Sequence, residues 1–373
     1  MNEVRVGIIG IGNMGTSHCK WITEGQVPGM KLYAVCDIKP ERLNWVKKNI
    51  SSDIACFNNY IELLNSGLID AVIIATPHYI HSQIATVAFA QKIHVMTEKP
   101  AGVFTKQVRE MNEAAEKSGC VFGIMYNQRT IHLYRKMREI IKSGEFGEIK
   151  RTNWIITDWY RSQAYYNSGG WRATWTGEGG GVLINQCPHN LDLWQWICGM
   201  PIKVRAFCHE GKWHDIEVED DVTAYVEYAN GATGVFITTT ADCPGTNRFE
   251  VTLEDGKLIC ENGKLEMYKC SINEREFNKT NTEPFGKPEV IHSIVETDCI
   301  STTHVGVLNA FTGAILQGEP LIANGIEGIN GLTISNAIHL SSWLDETIEL
   351  PLNEDLYLAE LNKRIAASKK DCK

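Results

Sequence analysis

Gly10-Ile11-Gly12-Asn13-Met14-Gly15 lies between an apolar run, Val4–Ile9, and an amphipathic stretch at residues 16–24. Glycines at this spacing, between a buried strand and a helix, leave few folds open. Gly10 permits the tight turn, Gly12 lets the backbone approach a pyrophosphate, and Gly15 lets the helix pack closely on the strand. The helix N-terminus favours an anion. The pattern predicts a dinucleotide site, with Asn13 and Met14 in the binding loop, rather than a glycine turn without a ligand. The same alternation continues downstream. Residues 32–36, 71–75, 93–96 and 120–125 read as buried parallel strands, with helices at 41–50, 80–90 and 106–118 between them. Pro40 suits the first turn of its helix, where its missing N–H costs nothing. Residues 1–126 are therefore expected to form an α/β Rossmann domain, a doubly wound parallel sheet.

Asp37 ends the second strand at the distance where such sites hold a ribose, and Ile38 follows it into the same loop. A carboxylate there accepts hydrogen bonds from both ribose hydroxyls of NAD and repels the 2′-phosphate of NADP. Lys39 could partly neutralise that phosphate, but the balance favours NAD. Glu98-Lys99-Pro100 closes the fourth parallel run. A Glu–Lys pair at a strand's carboxyl end is costly to bury without partners, and open parallel sheets place ligands at that end. A lysine beside a bound dinucleotide could polarise a substrate oxygen or move a proton. On the triplet alone, an ordinary structural ion pair is the stronger reading.

The pattern changes after residue 126. Residues 127–373 are expected to form an α+β domain with a large, mainly antiparallel open sheet. A return of the C-terminal segment onto the first domain is a further expectation. Helices are expected at 130–143, 181–198, 305–316 and 329–345, and strands at 149–160, 204–208, 222–228, 233–240, 248–253, 257–260 and 264–269. Asn230-Gly231, Asp255-Gly256 and Asn262-Gly263 fall between consecutive strand runs and signal hairpins. The polar stretch 271–292 reads as an exposed connection.

Two segments of this second half carry chemistry. Residues 154–175 hold Trp154, Trp159, Tyr160, Tyr165, Tyr166, Trp171 and Trp175, with Arg161 and Arg172 interleaved, against 9% aromatic residues in the whole chain. Aromatic faces pack on the C–H faces of sugars; they also fill cores. Tyr160, Trp171 and Arg172 are taken as substrate contacts. Gly179-Gly180-Gly181 leads to Asn185, His189 and Asp192. Asn185 and His189 would share a face on a helix, provided that Pro188 does not break it. Histidine is a natural proton acceptor near neutral pH; the bland alternative is a satisfied core histidine. Asp192 reads as a helix-stabilising or supporting group. Cys187 lies near His189, but the pair lacks a full ligand set, so no metal is expected.

Composition excludes several partners. A net charge of −9 argues against a nucleic-acid backbone. No run is long and apolar enough to span a bilayer. The early strand leaves no room for a signal peptide, so a cytoplasmic protein with reduced thiols is expected.

These motifs resemble one family, the glucose–fructose oxidoreductase, inositol dehydrogenase and rhizopine-catabolism (Gfo/Idh/MocA) oxidoreductases. The matching features are Gly10–Gly15, Ala75-Thr76-Pro77 with His81, Glu98-Lys99-Pro100, Gly170-Trp171-Arg172, the glycine-rich segment through His189 and Asp192, Asn309-Ala310-Phe311 and Gly318-Glu319-Pro320-Leu321. The resemblance implies an NAD-dependent dehydrogenase with the nicotinamide at a cleft between the domains and oligomer contacts through the open sheet. Thr76, Pro77, His81 and Glu98 would lie near the cofactor, with Asn127, Trp171 and Arg172. Lys99 would lie at the reacting carbon, and His189 would be the acid/base residue. Many relatives carry Asp where this chain has Asn185, which can orient His189 or bind a hydroxyl but cannot hold a proton at neutral pH. That form looks like a branch oxidising C3 of a glucosyl group in glycosides. The implied activity is hydride removal from a sugar hydroxyl. The alternatives are an inositol or cyclic polyol dehydrogenase, an NAD-dependent redox-neutral glycosidase, and a non-catalytic NAD-binding sensor.

Overall fold

The first sheet is built from strands too apolar to face water. In a computed structural model describing residues 2–368, β1 (Val4–Ile9), β2 (Met30–Cys36), β3 (Ala55–Phe57), β4 (Ala71–Ile74), β5 (His94–Thr97) and β6 (Phe122–Ile124) pair in parallel, in the order β3-β2-β1-β4-β5-β6. All four residues of β4 are inaccessible to solvent, as expected of a parallel strand covered on both faces. Crossover helices Asn13–Thr23, Pro40–Asn49, His81–Ala90 and Thr105–Ser118 follow their strands. The order reverses between β1 and β4, the point at which open sheets take ligands. A later helix, Thr303–Gln317, adds Val307, Leu308 and Phe311 to the cluster around Val4, Val6, Ile8 and Ile11.

The chain divides into two compact units. The first holds the chain up to Thr130, Gly177–Gly179 and Thr302–Leu332; the second holds Ile131–Thr176, Gly180–Ser301 and the chain from Thr333. The short elements β3 and Tyr60–Leu64 were not expected, since three and five residues are too few to display a period.

The second unit contains a nine-stranded sheet among the described residues. Its strands are β7 (Ile149–Ile156), β8 (Lys203–Glu210), β9 (Glu219–Glu227), β10 (Thr233–Thr239), β11 (Asn247–Leu253), β12 (Gly256–Glu261), β13 (Lys264–Cys270), β14 (Val290–Ile294) and β15 (Ile348–Glu349). They run in the order β14-β13-β12-β11-β7-β10-β9-β8-β15. Only β7 and β10 pair in parallel; the remaining pairs are antiparallel. Asn262 (φ 49°) and Gly263 (φ 71°) both take the left-handed region between β12 and β13, as a tight hairpin turn demands. Trp154 stacks on Phe249 at 4.2 Å, and Trp194 stacks on Phe236 at 5.4 Å.

Three expected elements differ. The strand expected at 149–160 stops at Ile156, where Thr157 turns out to bond Thr246. The connection 271–292 includes the helix Glu274–Thr280 and leads into β14, an edge strand whose exposure on both faces removes any alternation that could reveal it. The helix expected at 181–198 begins only at Pro188. Proline supplies no amide and suits a first helical position, while residues 181–187 form tight turns. Asn185 and His189 therefore do not share a face of one helix. No helix among the described residues is long and apolar enough to cross a membrane.

Candidate active site

β1 delivers the chain to Gly10, whose φ of +92° a side chain would resist. A Cβ on Gly15 would stand 1.9 Å from the Gly10 carbonyl oxygen, so the helix Asn13–Thr23 can start this close to the strand only with glycine there. Gly12 caps that helix without a side-chain acceptor, leaving its first amides pointing outward. Asp37 accepts from the amides of Ile11 (2.7 Å) and Lys39 (2.9 Å), tying the end of β2 to the glycine loop. Ile38 beside it is 83% exposed. Asn13 is exposed and Met14 half-buried.

The ends of β4, β5 and β6 lie side by side in the sheet. Beyond β4, Thr76 has a buried hydroxyl without a hydrogen-bond partner, and beyond β6 the buried Asn127 Oδ1 is in the same state. Orphaned polar atoms at these strand ends, together with the open helix N-terminus, fit a dinucleotide laid across the carboxyl edge of the sheet. Pro77 is exposed. His81 uses both ring nitrogens within the protein, 2.7 Å from the Thr76 carbonyl and 2.8 Å from that of Pro100, and so braces the two loops. Burial pulls its pKa down against the pull of those carbonyls.

Glu98 is 6% exposed. Its Oε1 lies 2.8 Å from Nε2 of the fully buried His18, and its Oε2 accepts from the Lys99 amide at 3.3 Å. Burial alone would raise the carboxyl pKa. The His18 hydrogen bond and the charges of His18, Lys99 and His304 outweigh it and hold the pKa down at about 2. Trp21 packs edge-on to His18 at 5.3 Å and stacks on His304 at 5.2 Å. Lys99 thus leaves β5 with its amide held by a buried carboxylate; its bond to Pro100 is cis. His18 escaped the reading of the motif, although Gly15, His18, Cys19 and Ile22 form the helix's buried face and place it toward the sheet.

In the second unit, Glu219 takes the place of a cap. Its two carboxylate oxygens accept from the Gly181 amide at 2.9 Å each and from Leu183 at 3.0 Å, while its carbonyl accepts from Val182. This buried carboxylate sets the turns that carry Asn185 and then His189, in the first turn of the helix Pro188–Cys198. His189 is 9% exposed. Asp192 is wholly buried and accepts from Gln195. Cys187 is buried against Thr238.

The aromatic segment splits in two. Trp154, Tyr166 and Trp175 belong to the core. Trp159, Tyr165 and Trp171 are half-buried, and Tyr160 is half-exposed. The Arg172 guanidinium lies over the rings of Tyr165 (4.6 Å) and Trp171 (4.7 Å), and its Nη1 donates to the Tyr165 hydroxyl at 2.7 Å. Asn185 Nδ2 donates to the same oxygen at 3.1 Å. The structure thus gathers Asn185 and Arg172 around Tyr165, with Trp171 against the Arg172 guanidinium. The Tyr160 carbonyl accepts from Arg161, whose guanidinium lies 5.1 Å from the Tyr165 ring. Among the described residues no group of three or more His, Cys, Asp or Glu side chains could hold a metal ion.

Residues 4–126 match the model of an oxidoreductase family with an NAD-binding Rossmann fold, and residues 134–259 match the GFO/IDH/MocA C-terminal domain. The myo-inositol 2-dehydrogenase of Thermotoga maritima is 22% identical over 94% of this chain and 99% of its own length. The inositol 2-dehydrogenase of Salmonella typhimurium is 30% identical over 39% of this chain and 43% of its own length. Among solved structures, the WlbA dehydrogenase of Bordetella pertussis, in complex with NADH and UDP-GlcNAcA, superimposes with a TM-score of 0.81 at 23% identity, covering 95% of this chain and 99% of that one. Levoglucosan dehydrogenase in complex with NADH and levoglucosan gives 0.76 at 20% identity, covering 94% and 100%.

Proposed function

The chain belongs to the Gfo/Idh/MocA family of NAD-dependent oxidoreductases, and from that premise we propose that it oxidises a secondary hydroxyl of a sugar, at C3 of a glucosyl group in a glycoside, leaving a 3-keto product. NAD, when bound, supplies the hydride acceptor. Gly10, Gly12, Asn13, Met14 and Gly15 hold the pyrophosphate. Asp37 and Ile38 hold the adenosine end, and Thr76, Pro77, Glu98 and Asn127 line the sheet edge beside them. His81 acts by bracing the loops of Thr76 and Pro100.

Lys99 stabilises the oxyanion that develops as the carbinol hydrogen departs. His189 takes the hydroxyl proton, so the substrate loses one hydride and one proton. Asn185 cannot hold that proton at neutral pH; it orients the hydroxyl. Trp171 and Tyr160 offer ring faces to the sugar, and Arg172 reads its oxygens. The observation that carries this reading is the buried Glu98 carboxylate, which joins His18 of the fingerprint helix to the Lys99 backbone. The lysine is thereby tied to the element that begins the dinucleotide site.

A second reading, oxidation of an inositol or another cyclic polyol, draws support from the names of the inositol dehydrogenase relatives. NADH absorbance over glucosides, free sugars and inositols, with product regiochemistry by NMR, separates the two. A 3-keto glucoside supports the first reading. A keto-inositol formed in preference to any keto-glycoside overturns it in favour of the second. Aglycone release without net NADH would point instead to a redox-neutral glycosidase.

A further inference from the structure

Two side chains donate into one phenolic oxygen, and a third amide stands at the margin of hydrogen-bond reach. Arg172 Nη1 lies 2.7 Å from Tyr165 Oη, Asn185 Nδ2 lies 3.1 Å from it, and Gln186 Nε2 lies 3.4 Å away. A phenol hydroxyl is one donor as well as an acceptor. With its two lone pairs taken by Arg172 and Asn185, its O–H must point away from those two donors.

The ring is held as firmly as the oxygen. It meets Tyr166 edge-on at 5.2 Å, with the guanidiniums of Arg161 and Arg172 at 5.1 and 4.6 Å. Tyr166 is itself anchored, its hydroxyl 2.7 Å from that of Thr240. Tyr165 is nevertheless only half-buried. A fixed ring, an oxygen saturated by donors and partial exposure describe a hydroxyl whose direction of donation is set before any ligand arrives.

We propose that Tyr165 is a specificity-determining residue that donates its O–H to a ring hydroxyl of the sugar next to the one oxidised. This rests on the reading of the chain as a sugar dehydrogenase and deepens it. The substrate class it selects is one with an oxygen beside the reacting carbinol: a vicinal diol on a pyranose or a cyclitol. Arg172 and Asn185, which donate into Tyr165, transmit this preference without needing to contact the second hydroxyl. Gln186 is the internal rival. Its Oε1 is buried without a partner, and with the amide turned over that oxygen would take the Tyr165 proton at the longest of the three distances.

The test is Tyr165→Phe, which keeps the ring and its cation contacts, assayed with NAD on the best glycoside and on its monodeoxy analogues at the two neighbouring carbons. Loss of a neutral hydrogen bond predicts a fall of about tenfold in kcat/KM on the parent. On one deoxy analogue the variant and the wild type should agree, because the missing hydroxyl has already removed the contact. Unchanged kcat/KM on the parent overturns the proposal. An equal loss on the parent and on every analogue also overturns it, and assigns the hydroxyl to Gln186 and the scaffold. Wild-type enzyme that forms no NADH with any sugar or cyclitol sinks the parent reading and this one with it. Wild-type turnover with an unaffected Tyr165→Phe variant sinks this one alone. NADH affinity, read by fluorescence, should be the same in both proteins.

Discussion

The two units place their polar groups by different means. In the first, Thr76, Glu98, Lys99 and Asn127 stand just beyond adjacent parallel strands, where backbone ladders set their spacing. In the second, Asn185 and His189 ride on turns held by the side chain of Glu219, and Asn185 meets Arg172 through Tyr165. A ladder tolerates the loss of one side chain, since the backbone still delivers its neighbours. A side-chain network does not, because each member positions the next. Substitutions in the first unit should therefore remove one function each, and substitutions in the second should spread.

The largest expected effect tests that contrast at its extremes. Lys99→Ala should lower kcat by about 10³-fold, within the range for a group that moves a proton or steadies charge in the transition state. NADH affinity should be retained, because the strand end survives. His189→Ala should cost about 10²-fold in kcat and also raise KM, since it ends the turns that carry Asn185. Steady-state kinetics with NADH titration reads both. A Lys99→Ala enzyme with near-normal kcat breaks the assignment of chemistry to the first unit.

Glycines give a paired comparison. A methyl on Gly15 would lie 1.9 Å from the Gly10 carbonyl oxygen, and one on Gly181 the same 1.9 Å from that of Glu219. Both Gly15→Ala and Gly181→Ala should destabilise by about 3 kcal/mol or more, since only backbone movement relieves the overlap. At Gly12 a methyl meets no protein atom within 4 Å. Gly12→Ala should cost at most about 1 kcal/mol as a helix cap while weakening NADH binding. Urea unfolding and NADH fluorescence separate these outcomes. A Gly181→Ala protein as stable as wild type would show that the second unit's turns yield where the first unit's do not.

The same difference explains what could be read in advance. The glycine loop, the parallel strands and the Asn-Gly hairpins are local, and local rules find them. That Glu98 and Lys99 follow a strand end was legible because their charges stand out after an apolar run. His18 was not, because a buried histidine on a helix face looks like core until the strand opposite is known. Tyr165 appeared only as one aromatic among seven in its segment; its oxygen gains meaning from Arg172, seven residues away, and Asn185, twenty away. The helix begins at Pro188 because proline cannot continue one from upstream and Glu219 holds the preceding turns, and that carboxylate lies 38 residues from Gly181 in sequence.

A smaller effect is expected at the cofactor's ribose end. Asp37→Ala removes the acceptor of the Ile11 and Lys39 amides and, on the proposed reading, the carboxylate that favours NAD. NADH affinity should fall by about tenfold, the scale of one hydrogen bond to a charged group, and the preference over NADPH should shrink. Fluorescence titration with both nucleotides checks this. An unchanged NADH affinity and preference would move nucleotide selection away from the end of β2.

The last effect concerns acid stability and again sets the strand end against its surroundings. Glu98 titrates at about 2 instead of an ordinary 4.5. A carboxyl whose pKa is lower in the folded state contributes stability that is present above the unfolded value and lost as pH falls through the folded value. The contribution should be complete above pH 4.5 and should decline toward pH 2. Glu98→Gln lacks this contribution, so wild type should be the more stable protein at pH 6, and the gap should narrow on acidification. Unfolding by urea at pH 6, 4.5 and 3.5 measures the gap. A constant gap would mean that His18 holds Glu98 by shape and hydrogen bonding alike in either protonation state, and that charge at this strand end is not what keeps the Lys99 backbone in place.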